Sequence, residues 1–266
     1  MKLLITVSFL GTAYCGYQVQ PNGISVQSML NRATGELFGY PCDIVGCSRT
    51  DSGVHANRFC ATVARRGEPS LKTGIPADRI PVALSAHLPE DIRVMEARWV
   101  PDDFHARYRV VEKEYLYRID NGRVMSPFEV GRAFHDPRPL GDEALEKMRT
   151  AAEQLVGTHD FTSFMAEGSR IVDATRTVKR VLVSRDGNLI LFRIAADGFL
   201  YHMVRIIVGT LLEIGHGNRA PDEIQAILAC RDRSRAGFTA PAHGLYLDQV
   251  IYPPFEEMPE AGTEAT

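Results

Sequence analysis

Residues 175–196 read TRTVKRVLVSRDGNLILFRIAA, and they give the clearest local indication of structure in the chain. Two runs rich in β-branched and apolar residues, 175–184 and 188–196, flank an Arg-Asp-Gly turn at 185–187. An Asp-Gly pair between two such runs is typical of a β-hairpin, because both residues tolerate the left-handed backbone of a tight turn. The stretch therefore predicts two antiparallel strands.

The segments around this hairpin predict a complete structural unit. Alternating residues at 111–120 predict a strand, and the apolar spacing at 142–156 predicts a helix. After the hairpin come a strongly apolar helix at about 199–214, a short helix near 221–230 and a last strand near 245–252. The order β-α-β-β-α-β, with one added helix, is a ferredoxin-like arrangement.

The first half of the chain repeats this order. Ser25 is a suitable N-cap for its first helix, and Pro76 suits the first turn of its second helix. The predicted elements are strands at 2–9, 42–47, 58–64 and 91–100 and helices at 25–38 and 76–87. We therefore predict an α+β fold of two ferredoxin-like βαββαβ halves, with their sheets joined around a central cleft.

The same pattern predicts the domain bounds and the place of the charge. An N-terminal α/β subdomain with the candidate catalytic loop should span 1–104, and a C-terminal α/β subdomain should span 105–252. The remaining residues, 253–266, contain four glutamates and no basic residue, which predicts a disordered acidic tail. Without these four charges the chain, whose formal net charge is −3, is close to neutral. Binding to a nucleic acid would therefore need a local basic patch.

Composition is that of an ordinary globular protein of the cell interior. Apolar residues make up 45% and charged residues 24%, and no apolar run approaches the ~20 residues of a membrane span. The five cysteines form an odd and scattered set without a CxxC pair, which is typical of free thiols in a reducing compartment. We therefore expect a cytoplasmic protein with no membrane segment and no metal site.

The segment GCSRTDSGVHA at 46–56 is the strongest candidate for a catalytic loop. It joins two predicted strands, and loops at the ends of strands commonly carry catalytic groups. Asp51 follows Arg49 by two residues, so an arginine could hold its carboxylate ionised as a nucleophile. An isolated aspartate in such a loop is also typical of a turn that caps its own backbone.

Arg205 indicates the same chemistry from the other half of the chain. It lies in the middle of the apolar segment FLYHMVRIIVGTLLEIG, where a buried guanidinium needs a carboxylate partner. Alternatively, its long side chain could reach the surface and stay hydrated. Asp51 is the natural partner, and the pair would place one residue from each half in one site.

Six blocks of sequence carry a family resemblance. They are FLGT at 9–12 with YQ at 17–18, GCSRTDSGVHA at 46–56, FHAR at 104–107 with YLY at 115–117, GTHDFTSF at 157–164, GFLYHMVR at 198–205 and APAHGLYL at 240–247. In this order they resemble the tRNA pseudouridine synthase A family, and together they are far more specific than any single motif. The departures from the family pattern, which leave Asp51 unchanged, are at Cys47, Ser48, Ser52, Lys113 and Ile206.

The resemblance implies the pseudouridine synthase fold and an isomerase that converts uridine to pseudouridine in tRNA. The family's substrates are uridines 38, 39 and 40 of the anticodon stem-loop, and such bases must be flipped out of their stack before they react. The reaction involves neither oxidation nor hydrolysis, so no cofactor is expected. The family acts as a homodimer, which makes a dimer the expected state of this chain.

The resemblance also implies catalytic roles. Asp51 would attack either the anomeric carbon or ring carbon 6, and Arg205 would keep Asp51 ionised. Tyr115 would stack on the base and could accept the proton of carbon 5, directly or through a water molecule.

Four further residues would contact the substrate. Arg49 suits a phosphate or the space that the flipped base leaves, and Leu245 would form an apolar wall beside the base. His55 and His202 could contact RNA, although lone histidines are more often structural.

Two other functions stay open. His159-Asp160 superficially resembles a metal-binding pair and would suit a metal-dependent nucleic-acid hydrolase, although no further histidines follow at metal spacing. The second alternative is an RNA-binding module without activity, which would have no need for a nucleophile, an arginine and a tyrosine together.

Overall fold

The computed structural model describes residues 1–21, 23–168 and 171–254. The acidic tail expected at 253–266 lies, from residue 255 onwards, outside the described residues. The chain forms two compact units: Met1–Val111 with the segment that begins at Asp248, and Glu112–Leu247. Each unit contains helices and its own set of paired strands, so the predicted α+β class is confirmed.

The boundary between the units lies after residue 111 rather than after 104. Residues 105–111 belong to the first unit because hydrogen bonds join them to residues 251 and 252. Val111 N donates a hydrogen bond to Ile251 O at 2.9 Å. The Tyr252 hydroxyl donates to Ala106 O at 2.6 Å.

The first unit has the predicted βαββαβ order. Its elements are β1 (Lys2–Phe9), α1 (Val26–Phe38), β2 (Cys42–Gly46), β3 (His55–Arg65), α2 (Ile80–Ser85) and β4 (Ile92–Val100). The strands lie in the order β4-β1-β3-β2, and all neighbours are antiparallel. This order is that of a ferredoxin-like sheet, and it places the loop between β2 and β3 at one end of the sheet.

Local sequence signals predicted the start of the first helix of this unit but not the length of the second. Ser25 is the N-cap of α1, as predicted: its hydroxyl accepts from Ser28 N at 3.1 Å, and the Ser28 hydroxyl accepts from Ser25 N at 3.2 Å. The second helix is shorter than predicted. A single 3₁₀ turn at Ala77–Arg79 precedes α2, because Pro81 has no N–H to donate and fits only the first turn of an α-helix.

The second unit also carries a sheet, which is antiparallel except for one short parallel strand pair. Its elements are β5 (Glu112–Asp120), β6 (Phe134–His135), α3 (Asp142–Glu153), β7 (Gly157–Asp160), β8 (Thr175–Asp186), β9 (Leu189–Ala196), α4 (Met203–Gly215), α5 (Glu223–Cys230) and β10 (Leu245–Ile251), whose last residues belong to the first unit. The order β5-β9-β8-β7 contains the predicted hairpin, in which Asp186 pairs with Leu189 and Gly187 has a φ of 57°. The short strands β6 and β7 were not predicted.

The apolar helix expected at 199–214 begins only at Met203. His202 has a φ of 58°, and a left-handed residue cannot continue a right-handed helix. Arg205 is therefore in the first turn of α4 and not in its middle. Its side chain is half-buried, which lies between the two alternatives of a buried guanidinium and a side chain that reaches the surface.

Candidate active site

Asp51 lies in the loop between β2 and β3, and backbone hydrogen bonds hold this loop. At its base, Cys47 N donates to Cys60 O at 2.8 Å. At its tip, Val54 N donates to Asp51 O at 3.1 Å across Gly53, whose φ is 80°. The turn uses the backbone carbonyl of Asp51 and leaves its side chain half-buried.

The segment at 11–17, which follows β1, packs its backbone directly against this loop. A Cβ atom on Gly16 would lie 2.4 Å from Thr50 O, and one on Gly11 would lie 2.0 Å from Val54 O. Both distances are far below a van der Waals contact, so only glycine allows the two backbones to approach this closely. The segment therefore fixes the position of the loop that carries Asp51.

His55, the first residue of β3, supports the loop from inside. Its Nδ1 accepts a hydrogen bond from Gly11 N at 2.9 Å, so this nitrogen carries no proton. The prediction that His55 contacts RNA disagrees with its burial, because 0% of the side chain is exposed. The geometry supports a positioning role.

In the second unit, Tyr115 and Leu245 provide nearly buried side chains. Tyr115 lies on β5 and is 7% exposed, with its ring edge-to-face against Phe199 at a centroid distance of 4.9 Å. Phe199 belongs to the stretch before α4 that is not helical, and this conformation places its ring beside Tyr115. Leu245, the first residue of β10, is 6% exposed.

Arg205 is anchored by a reciprocal pair of hydrogen bonds. Its Nε donates to Ala240 O at 2.7 Å, and Ala240 N donates to Arg205 O at 3.1 Å. The neighbouring residues of both segments touch as well, since a Cβ atom on Gly209 would lie 1.8 Å from Phe238 O. These contacts hold the Nε end of the Arg205 guanidinium in place. His202, half-buried ahead of the helix, packs its ring against that of Tyr201 at 3.9 Å.

His159 and Asp160 have structural partners. Asp160 accepts hydrogen bonds from Thr162 N at 2.9 Å and from the Thr162 hydroxyl at 2.6 Å, and it forms an ion pair with Arg231 at 3.0 Å. The hydrogen bond from the Thr162 side chain holds the pKa of Asp160 below its usual value. His159 Nε2 lies 3.1 Å from Val156 O. In the described parts of the chain, no three histidine, cysteine or carboxylate side chains are grouped to hold a metal ion.

A family model described as tRNA pseudouridine synthase matches residues 5–109 and 151–253. The chain belongs to this family. It is therefore an isomerase that acts on uridine in tRNA. The family match includes the loop with Asp51 and the helix with Arg205 but not Tyr115, which lies between the two matched ranges.

Curated relatives agree with this assignment over almost their whole length. The tRNA pseudouridine synthase A of Thermoanaerobacter sp. (strain X514) is 42% identical over 251 residues, which cover 94% of this chain and 99% of the relative. The proteins of the same name from Acetivibrio thermocellus and Bacillus pumilus are each 44% identical and cover 95% of this chain and 99% of the relative. A solved Cbf5-Nop10-Gar1 complex matches 80% of this chain and 44% of its own, with 14% identity and a TM-score of 0.34 that is too low to bear on the fold.

The sequence did not indicate the residues that hold Asp51 in place. Gly11 and Gly16 lie in or beside a block that resembles the family, yet no pattern shows that their backbones touch Thr50 and Val54. The contact depends on the sheet order, which brings β1 beside β3. A pair of closely spaced glycines after the first strand was the available signal.

Proposed function

We propose that this synthase modifies uridines 38, 39 and 40 of the tRNA anticodon stem-loop, with Asp51 as its nucleophile. The observation that carries the proposal is the setting of Asp51. Its carboxylate is half-buried on a loop whose backbone is fixed by hydrogen bonds and by the contacts of Gly11 and Gly16. A nucleophile held in one place needs little reorganisation when its substrate arrives.

The proposed reaction moves the base without a change in oxidation state. The bond between the anomeric carbon and ring nitrogen 1 breaks, the base turns, and a bond forms between the anomeric carbon and ring carbon 5. Carbon 5 loses its proton to a proton acceptor, and nitrogen 1 gains a proton. Asp51 assists by attack on the anomeric carbon or on ring carbon 6. Because nothing is oxidised or hydrolysed, the protein's own side chains suffice and no cofactor is needed.

Arg205 and Tyr115 complete the proposed catalytic group. Arg205 pairs with Asp51 and keeps it ionised. The hydrogen bond from Arg205 Nε to Ala240 O supports this role because it holds one end of the guanidinium in place. Tyr115 stacks on the uracil and accepts the proton of carbon 5, directly or by way of a water molecule. Its nearly buried ring, which packs against Phe199, suits contact with a uracil that has been flipped out of the RNA stack.

Three further residues are proposed to contact the substrate. Leu245 forms an apolar wall beside the base. Arg49, which is exposed, binds a phosphate or occupies the vacated stack, and His202 contacts the RNA. Such contacts are needed because base flipping costs about a few kcal/mol. We assign His55 the positioning of the loop.

We further propose a cytoplasmic homodimer. In the second unit, Val124, Phe128 and Val130 are exposed by 81%, 80% and 66%, and such apolar side chains commonly mark protein interfaces. All five cysteines are free thiols, which agrees with a reducing compartment. Among the described residues, no helix has the length and apolar character to cross a membrane. Sedimentation of wild type and Phe128→Ser would test the dimer, which the variant should weaken.

The central experiment is a map of modified sites. Unmodified tRNA is treated with the protein, pseudouridine is labelled chemically, and primer extension locates it. We expect stops at positions 38, 39 and 40 with wild type and none with Asp51→Asn, whose tRNA affinity should stay within about tenfold of wild type. Asp43→Asn, on the exposed edge of β2, is the matched control and should retain activity.

Two outcomes would overturn the proposal. Turnover by Asp51→Asn at a rate near that of wild type would exclude Asp51 as the nucleophile. Loss of activity in a chelator, with recovery on addition of zinc, would favour a metal-dependent enzyme such as the nucleic-acid hydrolase.

A further inference from the structure

A small cavity lies beside the loop that carries Asp51, entirely within the first unit. Its volume is about 220 Å³. Its wall includes the end of β2, the loop that follows, and the segment after residue 104: Gly46, Ser48, Arg49, His105, Arg107 and Tyr108. Pockets for drug-sized ligands measure about 300–1,000 Å³, so this one suits a smaller group such as a single nucleobase.

Two arginines of the wall are available to an anion. Neither Arg49 nor Arg107 forms an ion pair with any residue that the structure describes, and both side chains are exposed. Nearby arginines differ in this respect, since Arg58 pairs with Glu96 at 2.8 Å and Arg109 pairs with Asp103 at 2.7 Å. The unpaired guanidiniums suit a phosphate, which they can bind with paired hydrogen bonds.

The same wall presents an exposed aromatic ring. Tyr108 is 77% exposed, and its ring packs against that of His105 at 4.2 Å. His105 Nδ1 accepts hydrogen bonds from Arg107 N at 3.1 Å and from Tyr108 N at 3.3 Å, which fixes the turn under the ring. The Arg107 guanidinium lies 5.9 Å from the centroid of the same ring. An exposed ring beside cations is the pattern of a platform on which a base of a nucleic acid stacks.

One residue of the cavity wall carries a polar group without a partner. The Tyr17 hydroxyl is buried and lacks a hydrogen-bond partner among the described residues. Buried polar groups in proteins are nearly always bonded, so this hydroxyl is an unusual polar group just behind the wall of the cavity. In contrast, Gln27 in the same wall is already bonded to Ile44 O and Val19 N.

We propose that this cavity binds a nucleotide that neighbours the target uridine, with its base on Tyr108 and its phosphate on Arg49 and Arg107. The proposal rests on the proposed function, because it takes Asp51 as the site of the target. Two residues of chain span at most about 7 Å, so Arg49 lies within reach of a nucleotide adjacent to one held at Asp51. The pocket would then help to hold the strand while the target base is flipped.

The test measures the dissociation constant of unmodified tRNA at several salt concentrations. Arg107→Ala should lower the slope of log affinity against log salt by about 1, because one phosphate contact is lost. Arg109→Ala is the matched control, since Arg109 is already paired with Asp103, and its slope should equal that of wild type. Equal slopes for Arg107→Ala and Arg109→Ala would overturn the proposal.

Tyr108 is tested by its ring. Tyr108→Ala should weaken tRNA binding about 5- to 150-fold, the effect of one lost base stack, and Tyr108→Phe should stay within about twofold of wild type. Equal losses in both variants would assign the effect to the hydroxyl and overturn the stacking platform. Thermal unfolding curves confirm that each variant is folded.

The two proposals fail separately. Binding is measured with each variant in the Asp51→Asn background, where no turnover is expected, so an unchanged salt slope overturns the nucleotide pocket alone. A wild-type protein that binds tRNA but leaves uridines 38, 39 and 40 unmodified overturns the proposed function alone.

Discussion

Gly16 and Thr50 meet backbone to backbone, with the position of a Cβ atom on Gly16 only 2.4 Å from Thr50 O. Gly16 also has a φ of 84°, so its conformation and its surroundings both require glycine. The contact sits one residue before Asp51, and any shift of Thr50 would move the proposed nucleophile.

We predict that Gly16→Ala lowers the rate of pseudouridine formation about 100-fold. The added methyl group must displace the loop, and a misplacement of about 1 Å at a reacting group can have an effect of this size. The left-handed backbone also destabilises the variant by about 1–2 kcal/mol. Single-turnover rates at a temperature where the protein is fully folded measure the loss.

Gly39→Ala is the control for this prediction. Gly39 has a similar φ of 76°, but nothing lies within 4 Å of the position of its Cβ atom. It should therefore lose similar stability and keep its rate. Equal rates for the two variants would show that the contact with Thr50 does not position Asp51.

We predict that His55 acts through the loop and not through RNA. His55→Leu leaves Gly11 N buried without its acceptor and should reduce the free energy of unfolding by about 1–3 kcal/mol relative to His55→Asn, whose side-chain oxygen can accept the bond. Urea unfolding measures the difference. The tRNA affinity of the folded variants should match that of wild type. A loss of affinity in both variants would instead indicate that His55 contacts the RNA.

Local signals predicted most of the fold. The hairpin at 175–196, the N-cap at Ser25 and the βαββαβ order of elements along the first unit follow from turn residues, caps and alternation, which act over a few residues. The start of α4 could not be predicted in this way. The apolar pattern runs without interruption through residues 199–202, while the structure places His202 in a left-handed conformation.

In the candidate site, too, the sequence indicated some residues and only the structure revealed the others. Asp51 and Arg205 were named from short motifs and from the chemistry of an arginine in an apolar segment. The partners that hold them, Gly16 for the loop and Ala240 for Arg205, are distant in the sequence and carry no chemical signature of their own. Tertiary contacts of this kind depend on the assembled sheet, so only the structure reveals them.

We predict that Asp136 makes the protein sensitive to acid. Asp136 is 2% exposed and accepts hydrogen bonds from Arg138 at 2.9 Å and from His216 Nε2 at 2.8 Å. Burial alone would raise the pKa of Asp136, but the hydrogen bonds from Arg138 and His216 outweigh it, and the pKa lies below its usual value of 3.8. The ionised form is therefore favoured by folding.

The direction with pH follows from this lowered pKa. The contribution of Asp136 to stability is complete above the unfolded pKa and is lost as the pH falls through the folded one. Urea unfolding of wild type and Asp136→Asn should differ most near neutral pH, and the difference should shrink below a pH of about 4. Asp43→Asn should follow the wild-type curve throughout. A difference between wild type and Asp136→Asn that does not change with pH would show that ionisation plays no part.

The last prediction concerns the proposed pair of Asp51 and Arg205. Asp51→Glu keeps a carboxylate but displaces it, so the rate should fall and stay measurable. If the guanidinium pairs with this carboxylate, the effects of Asp51→Glu and Arg205→Ala on the single-turnover rate should not be additive, with a coupling of about 0.5–3 kcal/mol. Arg118→Ala provides the control cycle, because Arg118 pairs with Glu129 at 2.8 Å within the second unit and should combine additively with Asp51→Glu. Additive effects in both cycles would mean that Arg205 serves the reaction without contact to Asp51, and its anchor on Ala240 would then have to aim the guanidinium at the RNA.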